Sequence, residues 1–276
     1  MAAPIVLVTD SNGDVPAEYV ERYNIHVVPS ILNLDGQALR DGIDISRAEF
    51  YRRLPTLKNP ATTATPSAGD FEELYRACGD VDIIAIHLSS KLSGFYNVSR
   101  VGAEASGARV TLIDSEQLSM GVGWQVIAAA EAIAAGKSVA EIVEIVADVR
   151  RRVSVFAVLD TLEYARRSGR VSHLKALMGE LLQVKPILSI INGEVATLGQ
   201  HRTRSKGLAK VKEMAQALGP LGRLAIMHAN ALADAQALAE QLAPQSATPP
   251  IVLEFTAVLG THMGPGTVGV GVVKAA

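Results

Sequence analysis

Short apolar runs that end in polar tips recur along this chain, and helical patterns separate most of them. Ile5 to Thr9 reads IVLVT and stops at the turn cluster Asp10-Ser11-Asn12-Gly13. DIIAIHL (Asp82 to Leu88) and RVTLI (Arg109 to Ile113) repeat the pattern, each followed by a polar loop. Continuous apolar runs of this kind suit strands buried on both faces, which requires a parallel sheet covered by helices. The helices are legible too. Ser138 and Glu141 form a capping-box pair ahead of Val139, Ile142, Val143, Val146 and Val149 at helical spacing. Acidic residues lie early in that segment and Arg150 to Arg152 late, as the helix dipole favours.

The second half reads differently. Phe156 to Leu159 starts a strand, and Leu162 to Leu182 is largely helical, broken near Gly169. Pro186 to Ile191 and Glu194 to Leu198 flank Asn192-Gly193, a hairpin signal. Ser205 to Leu218 and Leu232 to Leu242 are helical, while Arg223 to His228, Ile251 to Phe255 and Val268 to Val273 are strand-like. A hairpin inside a strand–helix alternation implies a mixed sheet. The expected fold is therefore α/β with two domains: an N-terminal parallel-sheet domain over 1–153 and a C-terminal mixed-sheet domain over 154–276. No linker composition marks the boundary.

Composition narrows the function. Apolar residues make up 49% of the chain but aromatics only 4%, so aliphatic side chains do most of the packing. A net charge of -2 offers no basic excess to neutralise phosphates, which argues against nucleic acid as a partner. The single cysteine, Cys78, excludes an internal disulfide and a CxxC site. The N-terminus has no signal-peptide pattern. The uncharged run from Phe255 to Val273 contains Pro265, His262 and five glycines, a poor membrane span. A cytoplasmic protein is expected.

Four polar clusters could carry chemistry. Asp10 to Asp14 reads as a turn and a helix start with Asp14 as N-cap; a phosphoaspartate at Asp10 has no other support. Thr62-Thr63-Ala64-Thr65-Pro66-Ser67 ends in an N-cap, Ser67 with Asp70, but its threonines suit either a plain loop or donors to an oxyanion. Ser89 to Tyr96 leads from a strand into a helix N-terminus, a setting for an anion. Gly260-Thr261-His262-Met263-Gly264-Pro265-Gly266 places a histidine in a glycine loop, as a core residue or a functional one. No HExxH, GxSxG or GxGxxG element stands where a metalloprotease, α/β-hydrolase or dinucleotide fold needs it, and no metal site is expected. Hydroxyls, one histidine and some arginines suit holding a carboxylate better than breaking a bond.

Taken in order, these loops resemble the DegV family. The resemblance runs through Val8-Thr9-Asp10-Ser11, Thr63 to Ser67, Ser89 to Tyr96, Ile113-Asp114-Ser115 and Ser119-Met120-Gly121. It continues through Leu162 to Ser172, Lys185 to Leu188, Arg202-Thr203 and Gly260 to Gly266. It implies a non-catalytic two-domain protein with one long-chain fatty acid buried between the domains and no cofactor. It also implies a partner, a fatty acid kinase that phosphorylates the bound carboxylate for phospholipid synthesis. Carried over by position, Ser93 and Thr63 would bond the carboxylate, with Thr62 and Gly94 beside them. His262 and Arg202 would form the polar surround, and Arg170 would contact the kinase. Phe95 and the Thr63-Ala64-Thr65-Pro66-Ser67 run depart from the family pattern beside that headgroup. Two other readings stay open: a hydrolase or transferase using Ser93 and His262, and a carrier of a different amphiphilic acid.

Overall fold

A computed structural model describes residues 4–170 and 184–275. The first expected sheet is present. Strands β1 (Ile5–Asp10), β2 (His26–Val28), β6 (Asp82–His87) and β7 (Arg109–Asp114) form a parallel sheet in the order β2-β1-β6-β7. In β6 every residue from Ile83 to His87 is buried, which is why the run lacks polar alternation. Helices α1 (Ala17–Arg22), α3 (Ala68–Ala77) and α4 (Phe95–Ser106) fall between these strands. The Ser67 and Ser138 capping boxes both form, at α3 and at α6 (Val139–Arg152).

A small antiparallel sheet, not anticipated from the sequence, is inserted into this half. Its strands are β3 (Ile31–Leu34), β4 (Gln37–Arg40) and β5 (Thr62–Ala64), in the order β4-β3-β5. Along the chain, α2 (Arg47–Arg53) lies between β4 and β5. Asp35-Gly36 turns the β3–β4 hairpin with φ of 47° and 85°, the left-handed pair that a two-residue hairpin needs. Thr62 and Thr63 thus lie on a short edge strand rather than in a loop.

Among the described residues the second sheet has six strands in the order β10-β9-β8-β13-β11-β12. These are β8 (Val153–Val158), β9 (Lys185–Ile191), β10 (Glu194–His201), β11 (Leu221–His228), β12 (Ile251–Glu254) and β13 (Val268–Lys274). Among the described residues only β11 and β12 pair in parallel in this sheet, so it is mixed as expected. The last strand, β13, sits in its interior and is buried from Val268 to Val273. That position accounts for the uncharged C-terminal run. Among the described residues no helix is long and apolar enough to cross a membrane. Helices α8 (Arg204–Gln216) and α9 (Leu232–Leu242) cover this sheet. The helix expected over Leu162 to Leu182 is described only as α7 (Glu163–Arg167), ending at Gly169 with φ +79°; its remainder lies outside the described residues.

Helix α5 (Met120–Ala134) joins the two halves. It contacts β1 and β6 of one sheet and β8 and β13 of the other, so it is buried on nearly every side. Trp124 on this helix donates to the Gly271 carbonyl at 3.0 Å. The main core is continuous across both halves: Val8 and Ile86 belong to the same cluster as Met227 and Phe255.

Candidate functional site

Strands β1 and β6 are neighbours, and their crossovers leave in opposite directions along the sheet. The crevice beyond their carboxyl ends is where an open α/β sheet takes a ligand. A cavity opens there between the two sheets. Its walls are mostly apolar, with Leu88, Leu92 and Phe95 on one side and Val155, Leu188 and Met227 on the other. Phe95, Phe156 and Phe255 all border it, so the lining carries more aromatic surface than the composition suggests.

The polar groups collect where the β6 loop, β5 and α10 (Ala257–Met263) meet. Thr63 Oγ1 lies 2.9 Å from His262 Nε2, and His262 Nδ1 lies 2.8 Å from Ser168 Oγ. The Ser168 hydroxyl donates to the Tyr164 carbonyl at 2.7 Å, so it accepts from His262 and Nδ1 carries a proton. The protonation of Nε2 then decides what Thr63 offers. A neutral ring accepts a hydrogen bond from Thr63; an imidazolium donates to Thr63 and leaves the Thr63 hydroxyl hydrogen free for an anion. Ser93 borders the cavity and accepts from the Phe95 amide at 3.3 Å, and among the described residues its own hydroxyl hydrogen has no acceptor. Arg170 is half-buried, also borders the cavity and donates to the Ser168 carbonyl at 3.2 Å.

The structure thus brings Thr63, Ser93, His262 and Arg170 to one cavity. Thr62 does not border it: neighbours along a strand face opposite ways, and Thr62 is exposed. Gly94 is the exposed N-cap of α4 with φ −69°, a conformation open to any residue. Arg202 is exposed at the β10–α8 turn and does not border the cavity.

Two local expectations need correction. His262 lies in the last turn of α10 rather than in a loop, and the glycines around it answer packing demands. A Cβ on Gly264 (φ +76°) would stand 2.2 Å from Tyr164 Cδ2, and one on Gly260 would stand 2.5 Å from the Tyr51 hydroxyl. Asp14 is not the N-cap of α1; Pro16 holds that place. The Asp14 carboxylate is buried, accepting from Ser119 Oγ at 2.6 Å and from the Thr256 amide at 2.8 Å. Burial raises its pKa, against the opposing effects of Arg47 and these donors.

Sequence reasoning named Asn12 and Ser119 only as parts of motifs and gave them no role, and it missed Ser30; all three border the cavity. It also missed the buried chain Asp10–His87–Ser99–Tyr75. That chain has the connectivity of a Ser–His–Asp triad. Ser99, however, is fully buried, and its oxygen also bonds Tyr75 at 2.6 Å, so no substrate can reach it. The pairing of Ser93 with His262 that a hydrolase would need is replaced by bonds from the ring to Thr63 and Ser168.

Known proteins share this architecture. The model of the DegV family, described as uncharacterised proteins, matches residues 4–275. The chain belongs to the DegV family. A DegV domain-containing protein of Streptomyces coelicolor is 35% identical, over 98% of each chain. Among solved structures, a DegV family protein from Thermus thermophilus, described by its fatty acid binding, superposes with a TM-score of 0.90. It shares 30% identity, with both chains fully covered. DegV of Bacillus subtilis, described as a fatty acid binding protein, gives a TM-score of 0.88 at 30% identity, over 99% of this chain and 100% of that one.

Proposed function

We propose that this DegV protein binds one long-chain fatty acid in the cavity, without chemistry of its own, and presents it to a fatty acid kinase in the cytoplasm. The observation that carries the reading is an apolar cavity whose polar groups gather at one end. Each methylene withdrawn from water contributes roughly 0.8 kcal/mol, so a long acyl chain gains on the order of 10 kcal/mol before ordering costs. The buried head needs donors, because an unpaired carboxylate would cost several kcal/mol. Ser93 gives one. Thr63 gives another once the His262 ring is protonated, and the imidazolium then balances the anion. Arg170, at the edge of the same group, adds charge and is the residue we assign to the kinase contact. The fatty-acid-binding relatives from Thermus and Bacillus support the reading.

Native mass spectrometry of freshly purified protein, followed by denaturation, tests the binding class. One fatty acid released per chain is expected. An apo mass unchanged by added fatty acid refutes the proposal. Ser93→Ala combined with Thr63→Ala is expected to weaken binding at least about tenfold, since two hydrogen bonds to a charged group are lost. Unchanged affinity would reject the headgroup assignment. Acyl phosphate formed from ATP only when a kinase and this protein are combined tests the presentation step.

A further inference from the structure

Asn12, at the tip of β1, and Ser30, just before β3, border the cavity and are 4% and 3% exposed. The Asn12 side-chain nitrogen spends both protons, one on Asp10 Oδ1 at 2.9 Å and one on Ser30 Oγ at 3.1 Å. Asp10 is itself held in place. Its Oδ1 also accepts from the Asn12 amide at 3.0 Å, while Oδ2 meets the Leu88 amide and His87 Nδ1, each at 3.0 Å. A flipped Asn12 would set its carbonyl oxygen against the Asp10 carboxylate, so the network decides the orientation. The Asn12 Oδ1 atom is left without a partner among the described residues. The Ser30 hydroxyl accepts a hydrogen bond from Asn12, and its own hydrogen has no acceptor there.

The pair therefore offers the cavity one acceptor and one donor side by side. A carboxylate matches this poorly, because it brings no proton for Asn12. A hydroxyl group, donor and acceptor on one oxygen, is the complement. Register gives its distance from the proposed head. Leu32 pairs with Thr63, and Ser30 stands two residues before Leu32. It precedes β3 by one residue, but the Asp41 amide donates to its carbonyl at 2.9 Å and continues the ladder, which keeps the alternation of faces. Diagonal neighbours of this kind across an antiparallel pair lie about 7–8 Å apart. A hydroxyl on a carbon close to the carboxyl group spans that gap with a hydrogen bond at each end.

We propose that Asn12 and Ser30 form a hydroxyl-recognition subsite, which selects fatty acids hydroxylated at the second or third carbon. The proposal rests on the fatty-acid reading above and adds a ligand class to it. Displacement of a fluorescent fatty acid tests it, with hexadecanoic, 2-hydroxyhexadecanoic and 3-hydroxyhexadecanoic acids as competitors. At least one hydroxy acid is expected to bind about 3–10-fold more tightly than hexadecanoic acid. In Asn12→Ala and in Ser30→Ala that ratio is expected to fall to about one. Equal affinities for all three acids in the unaltered protein overturn the subsite without any variant, as does a preference that survives both substitutions. Failure of all three to bind overturns the fatty-acid reading and the subsite together, whereas hexadecanoic acid binding with no preference overturns the subsite alone.

Discussion

Asp41 is a buried carboxylate whose removal should stabilise the protein. It follows β4, is 4% exposed, and its Oδ2 has no hydrogen-bond partner among the described residues. Burial drives its pKa from 3.8 to about 6, and the charge of Asp14 adds to the rise; the Ser11 hydroxyl, Arg47 and the Ala257 amide oppose it. Because the folded pKa lies above the unfolded one, the folded state holds a proton that the unfolded state has released. The charged form therefore penalises folding above pH 6, and the penalty fades as the pH falls through 6 towards 4. A gap from 3.8 to about 6 is worth roughly 3 kcal/mol at neutral pH. Asp41→Asn removes that penalty but forfeits an anion near the start of α10, so a net gain of about 1–3 kcal/mol is expected at pH 8. About 2 kcal/mol of the difference should disappear between pH 7 and 4.5. Urea denaturation of both proteins across that range measures it. Asp44 and Glu141, whose pKa values of about 2 cause stability to fall in stronger acid, are common to both proteins and cancel. A pH-independent difference, or an asparagine variant less stable at pH 8, would refute the reasoning.

Two further substitutions probe the framework of the site. Gly264→Ala combines a φ of +76° with a Cβ 2.2 Å from Tyr164, and should cost about 2–4 kcal/mol in chemical denaturation; a near-neutral effect would show that α10 relaxes freely. Ser99→Ala strands the Tyr75 hydroxyl and His87 Nε2 in the core, so a loss of about 2–4 kcal/mol is expected with fatty-acid affinity retained. Unchanged stability would mean that the buried chain contributes little.

Legibility followed the range of the physics. The β6 run and the α6 capping box were readable because burial on both faces and N-terminal capping act within a few residues. The β9–β10 hairpin was readable for the same reason: Asn192 and Gly193 adopt φ of 51° and 79°. The same signal stood at Asp35-Gly36, but its flanking strands are only four residues long and the small sheet went unread. For the site, motif order picked out Thr63, Ser93 and His262. It could not tell Thr63 from Thr62, because which face of β5 meets the cavity depends on pairing with β3.

By itself, the sequence determined the periodicities, caps and turns, and hence an α/β chain with one parallel and one mixed sheet. Tertiary structure alone decided which polar groups became partners. Thr63 and His262 stand 199 residues apart, and Asp14 and Thr256 stand 242 apart. No local pattern encodes such pairs, because their geometry exists only once α5 has been packed between the two sheets and the strands have taken their register.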